Sequence, residues 1–138
     1  TWEIRDQRVE KIVSLAAAHP TVRAILRARQ RAIGMQGKVV MVGRDIGAIV
    51  IPEAPLKIYL DVSIAERARR RMAELVARGD SVDMAALTES IRIRDERDRH
   101  VMFPAPDAVL INGDEDTPQQ TLTHVLELVR GCPAFAKE

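Results

Sequence analysis

The chain has 138 residues, 46% of them hydrophobic, 30% charged and 3% aromatic, which is the length of one domain with apolar content enough for a core and too high for disorder. Lys and Arg number 21 against 20 Asp and Glu, a net charge of +1, so no global basic field for holding nucleic acid exists and only local patches remain. The single cysteine, Cys132, excludes an internal disulfide, no apolar run approaches the ~20 residues of a bilayer span, and the first residues lack a secretory pattern; the expectation is a soluble, cytoplasmic protein.

Apolar residues at Ile4, Val9, Ile12, Val13 and Ala16 follow a helical stripe over about 2–18. His19-Pro20 ends it, because proline disfavours helix in the residue before it, and Thr21 is then placed as the N-cap of a helix over 22–33. Gly34 and Gly37 bracket a turn. Residues 38–42, Lys-Val-Val-Met-Val, read as a buried strand that stops at Gly43-Arg44-Asp45-Ile46-Gly47. After the turn at Pro52-Glu53-Ala54-Pro55 a second strand is expected over 56–61. Ser63 and Glu66 have capping-box spacing for a helix to about Arg78, closed by Gly79. Asp83 caps a further helix over 84–99, residues 108–111 make a third strand, and Thr117-Pro118 opens a last helix closed by Gly131. Strands separated by helices predict an α/β fold, a parallel sheet flanked by helices with right-handed crossovers. Ligands of such sheets sit beyond the carboxyl ends of the strands, where Gly43-Arg44-Asp45 lies.

The charges are unevenly placed. Arginines are 17 of the 21 basic residues; a GC-rich genome favours that composition, and so does a need for planar forks that fit phosphate or a base edge. Gly-Arg-Asp-Ile-Gly by itself is either a glycine-flanked turn with a surface ion pair or a charged pair held at the ligand edge. Residues 66–71 carry four arginines and one acid, either a solvated helix face or a cluster whose repulsion an anion offsets. Residues 92–99 carry four arginines and three acids; there Arg94 with Asp98, and Asp95 with Arg99, are spaced to form helical pairs of ~0.3–0.5 kcal/mol each, which accounts for the run without any ligand. His19, His100 and His124 have no metal-ligand spacing among themselves or with Cys132. No Ser-His-Asp or Cys-His arrangement is suggested, and G-x-x-x-x-G-K-[ST] occurs nowhere in the 138 residues.

Taken together, Val42-Gly-Arg-Asp-Ile-Gly47, Pro52-Glu-Ala-Pro-Leu-Lys-Ile-Tyr-Leu-Asp61, Glu66-Arg-Ala-Arg-Arg-Arg71 and Arg94-Asp-Glu-Arg-Asp98 resemble the bacterial cytidylate kinases, the (d)CMP kinases of the nucleoside monophosphate kinase group. The pattern Ser14, His19-Pro20, Val22-Arg23, Leu26 and Gln30-Arg31 is also similar to that family's, and the resemblance covers roughly residues 9–100 and 107–130. It implies a P-loop kinase fold, transfer of the ATP γ-phosphoryl group to CMP or dCMP, and magnesium as the metal. It further implies that Ser14, Arg23 and Asp45 meet the cytosine ring. A cationic donor, a carboxylate acceptor and a hydroxyl complement its O2, N3 and exocyclic amine, whereas uracil would leave polar groups unpaired. Arg94 and Asp98 are implied at the ribose and its phosphate neighbourhood and Arg44 among the phosphates, with Arg44 and Arg94 as the catalytic arginines. Arg67, Arg70 and Arg71 would flank the lid over the donor nucleotide, whose closure excludes water.

Three departures accompany the resemblance. Where the family carries a phosphate-gripping arginine three residues beyond Asp98 there is Val101, with Arg97 and Arg99 as neighbouring candidates to replace it. The following loop, Phe103-Pro-Ala-Pro106, is shorter. The family also opens with a strand and a Gly-rich phosphate loop that this sequence lacks, so residues 1–138 are expected to be the C-terminal part of a cytidylate kinase domain, incomplete or one half of a split kinase whose N-terminal segment is a separate chain. Phosphoryl transfer depends on that loop, its lysine and its magnesium, so the chain alone is expected to be inactive. The family's first strand lies between those read at 39–42 and 56–61, and its absence would leave their inner edges unpaired. The alternative reading is a non-catalytic module binding nucleotide or RNA through the arginine helices, against which the scarcity of aromatic stacking platforms argues.

Overall fold

The computed structural model describes residues 19–136 together with Ile12 and Ala16. The chain divides into two compact units, Thr1–Val42 and Gly43–Glu138.

In the first unit Ile12 and Ala16 are helical, and the rest of the helix expected over 2–18, Ser14 included, lies outside the described residues. Helix α1 spans Pro20–Gly34 with His19 at the N-cap and no side-chain cap. Thr21 is therefore inside the helix and not its cap, because Pro20 at the first helical position brings a preset φ and no N–H to satisfy. Residues 39–42 correct the sequence reading: they form no strand, and Val40 and Val42 are 93% and 94% exposed. A β-branched run is only strand-compatible. It becomes a strand when a neighbour takes its backbone N–H and C=O groups, and among the described residues the one sheet contains β1 and β2 alone.

The second unit begins with Gly43-Arg44-Asp45, which lead into a single π-turn, Ile46–Val50. The Asp45 carbonyl accepts from Ile49 N (2.8 Å) and Val50 N (3.1 Å), and the Ile46 carbonyl from Ile51 N (2.8 Å). Strand β1 is Ile58–Asp61 and pairs in parallel with β2, Val109–Asn112, with Ile58 opposite Val109 and Asp61 opposite Asn112. Between them run α2, Ile64–Ala77, and α3, Met84–Asp98. Ser63 caps α2, its side chain accepting from Glu66 N, and Asp83 caps α3, accepting from Ala85 N. Gly79, past the end of α2, has φ 88°, the left-handed conformation that stops helices and that glycine adopts without strain. Helix α4, Pro118–Gly131, opens with a complete Thr117–Gln120 capping box. No helix among the described residues is long and apolar enough to cross a membrane.

Among the described residues Val50, Ile51, Ala68, Val101, Ala105 and Ile111 are the buried hydrophobic ones. They draw the π-turn, α2, the segment after α3 and β2 into one core, which fixes the carboxyl ends of both strands beside the helices. Lys57 is buried among them: its Nζ donates to the carbonyls of Pro52 (2.6 Å) and Ala54 (3.1 Å) and pairs with Asp107 at 2.6 Å. Burying an ammonium is tolerable only with such partners. Its stem also runs under Gly47, where an added Cβ would lie 3.3 Å from Lys57 Cγ.

Candidate functional site

The carboxyl end of the two-stranded sheet gathers charge from three stretches that are distant in sequence. The first is the turn at Gly43-Arg44-Asp45. Arg44 donates to Asp98, 54 residues away, and the two side chains are 34% and 35% exposed. Asp45 is half-buried at the head of the π-turn.

The second stretch is the first half of α2. Arg67 donates from Nη1 and Nη2 to the two oxygens of Asp95, at 3.0 and 2.5 Å, and from Nε to the carbonyl of Val62 at 2.9 Å. Val62 directly follows β1. One turn on, Arg70 donates to Glu66 at 2.6 Å and to the carbonyl of Gly113, directly after β2, at 2.5 Å. Arg69 also grips Glu66, with both contacts at 2.7 Å, and Arg71 pairs with Glu74 at 2.7 Å. The arginine row is thus matched by acids. The hydrogen bonds from Arg69 and then Arg70 hold the Glu66 carboxyl well below the ordinary range, at about 2.

The third stretch is the end of α3. The helical pairs expected there are replaced by tertiary ones: Asp98 takes Arg44 and Asp95 takes Arg67, while Arg99 reaches Glu96 at 3.7 Å. A bidentate guanidinium fork from a packed helix outcompetes an exposed partner one turn away. The Arg67 hydrogen bonds lower the Asp95 carboxyl against a burial that would raise it, with smaller contributions from Arg44 and Arg94. Arg94 is exposed beside this group. Val101 is 7% exposed and belongs to the core, so the position at which the resemblance implies an arginine offers packing.

Of the residues singled out in the sequence, Arg44 and Asp98 are brought into contact, and Arg94 lies within electrostatic reach of Asp95. Asp45 adjoins Arg44 in the chain, and Arg67, Arg70 and Arg71 lie on α2. Arg23 sits half-buried on α1, in the other unit, and Ser14 is outside the described residues. Asp95 was missed, because the sequence already offers it a helical partner four residues on, Arg99. Among the described residues no group of three or more His, Cys, Asp or Glu could hold a metal ion.

Comparison with known proteins adds the remaining finding. A family model described as "Cytidylate kinase" matches residues 1–131. The chain is 54% identical over 126 residues to a cytidylate kinase of Roseiflexus castenholzii, covering 91% of this chain and 54% of that protein. It is 48% identical over 126 residues to one of Chloroflexus aggregans, covering 91% and 55%, and 46% identical over 129 residues to one of Herpetosiphon aurantiacus, covering 94% and 56%. The chain spans about half the length of these relatives.

Proposed function

The chain belongs to the cytidylate kinase family, and from that premise we propose that it carries the nucleoside-monophosphate side of a kinase that passes the γ-phosphoryl group of ATP to CMP or dCMP. The observation that supports this most is the Arg44–Asp98 pair, which unites the Gly-Arg-Asp turn and the Arg-Asp-Glu-Arg-Asp helix end at the carboxyl edge of the sheet. In this reading Asp45 accepts from the exocyclic amine of cytosine, Arg23 and Ser14 donate to its acceptors, and Asp98 accepts from the ribose. Arg44 and Arg94 oppose the charge that accumulates on the transferring phosphoryl group, which is where such enzymes gain most of their rate.

Arg67, Arg70 and Arg71 border the donor nucleotide; to meet its phosphates Arg70 and Arg71 would exchange Glu66 and Glu74 for phosphate oxygens, while Arg67 stays tied to Asp95. Magnesium accompanies ATP in the family, but the described residues offer no ligand set for it, and no step here is assigned to the metal. The 138 residues also contain no Gly-rich loop ending in Gly-Lys-Ser/Thr, so CMP is recognised by this chain without being phosphorylated. A polyanion-binding face on α2 is the weaker reading, because Glu66 and Glu74 neutralise its arginines. Titration with CMP and UMP by calorimetry separates the two. A kinase-derived site prefers CMP, whereas a polyanion face treats both alike and weakens steeply with salt on longer nucleic acids.

A further inference from the structure

We infer that Arg67 and Asp95 form a positioning bracket: Arg67 ties α3 to the carboxyl end of β1, and so holds Asp98 where it can take Arg44 and keeps Arg94 at the same edge. The inference rests on the functional reading above only in naming CMP as the ligand that profits.

All three kinds of guanidinium nitrogen in Arg67 are engaged within the protein. Nη1 and Nη2 meet both oxygens of Asp95, and Nε meets the Val62 carbonyl. That fork-on-fork geometry fixes orientation as well as distance, which a lysine could not do. The Asp95 side chain is only 15% exposed and that of Arg67 32%, so the pair is sheltered from much of the screening that makes surface pairs weak. Asp95 and Asp98 lie one turn apart on α3, and each holds an arginine from a different segment. The last turn of a helix frays unless it is tied down; here the first tie sets the register in which the second can form. The same face of α2 contributes Arg70 to the carbonyl after β2, so α2 grips both strand ends and α3 at once. Arg67 is accordingly a positioning residue that acts through Asp95, and its guanidinium is spent on the protein.

The test uses the 138-residue chain with Asp95→Asn and the milder Arg67→Lys, both checked for fold by circular dichroism. Arg92→Ala, which removes an exposed pair with Glu89 on the outer face of α3, serves as the control. The Arg44 side-chain Nε–H resonance, read by NMR without nucleotide, reports the Arg44–Asp98 pair directly. CMP titration reports the consequence. The bracket predicts that Asp95→Asn shifts and broadens the Arg44 resonance and weakens CMP by about tenfold or more, the scale expected when a binding group is displaced by a fraction of an ångström. Arg67→Lys should show the same changes to a smaller extent, and Arg92→Ala neither. An unchanged Arg44 resonance in folded Asp95→Asn overturns the inference, whatever CMP does; if that variant does not fold, the same criterion applies to Arg67→Lys. Should the unaltered chain bind no CMP, the functional reading falls, while the Arg44 resonance still decides the bracket.

Discussion

Arg44 and Asp98, 54 residues apart in sequence, close an ion pair across the carboxyl edge of a parallel sheet. Neither residue is notable alone; each sits in a charge motif that an ordinary surface explains. Their meeting brings the two motifs together at the sheet edge where open α/β sheets bind ligands.

Replacing Arg44 by Met separates binding from stability. With both side chains about one-third exposed, loss of the pair should lower unfolding free energy by less than about 1 kcal/mol. CMP affinity should fall by about tenfold or more, since under the proposed function the variant removes a charged donor from the phosphate. Urea unfolding and calorimetry on the same sample check both halves. A large stability loss with CMP affinity intact would assign Arg44 to the fold and not to the ligand.

Lys57 invites the opposite experiment. It is the buried charged residue among those described, 8% exposed, and it satisfies two carbonyls in the turn that returns from the π-turn to β1. Lys57→Met should cost about 1–3 kcal/mol, because those carbonyls lose their donor inside the protein. Asp107→Asn, at a side chain 67% exposed, should cost much less than Lys57→Met. Equal urea midpoints for the two variants would contradict this account of the buried ammonium.

Acid should weaken the protein in a defined window. Glu66, Glu74, Glu89, Asp95 and Asp107 are all lowered, each chiefly by a hydrogen bond from a basic partner. A folded value below the unfolded one means that the stabilisation is complete above the unfolded value and is lost as pH falls toward the folded one. For Glu66 that window runs from 4.5 down to about 2. Unfolding midpoints should therefore be flat from pH 7 to about 5 and decline below, and Glu66→Gln should flatten part of the decline. A curve with no acid limb between pH 4.5 and 2 would refute the assignment.

Turnover is expected to be absent. With ATP, magnesium and CMP, the 138 residues should release no ADP in a coupled assay, since they contain no Gly-rich loop and lysine to position the γ-phosphoryl group. Steady CMP-dependent ADP release would show that another part of the chain performs that work.

What the sequence revealed and what it hid follow from locality. The caps at Ser63, Asp83 and Thr117 and the strands at 58–61 and 109–112 are local or nearly so, and they stand within a residue or two of expectation. Residues 38–42 have the composition of a buried strand, yet strand formation depends on a neighbour that composition does not specify, and Val40 and Val42 are exposed. The π-turn at Ile46–Val50 has no sequence signature of its own. In the candidate site, Arg44, Arg94 and Asp98 stand out in the sequence only through their resemblance to a family pattern, which does not foretell the Arg44–Asp98 pair. Asp95 does not stand out, because a partner four residues away already accounts for it, and only the packing of α2 on α3 shows that its partner is Arg67.

Under the proposed function the Gly-Arg-Asp turn and the end of α3 form one pyrimidine monophosphate site. Backbone amide NMR of the isotope-labelled chain during addition of CMP, and separately of UMP, tests it most directly. CMP should shift the amides of Arg44, Asp45, Arg94 and Asp98 together along a single saturation curve, with UMP producing the same shifts only at far higher concentration. Shifts confined to the arginine face of α2, or an identical response to both nucleotides, would contradict it.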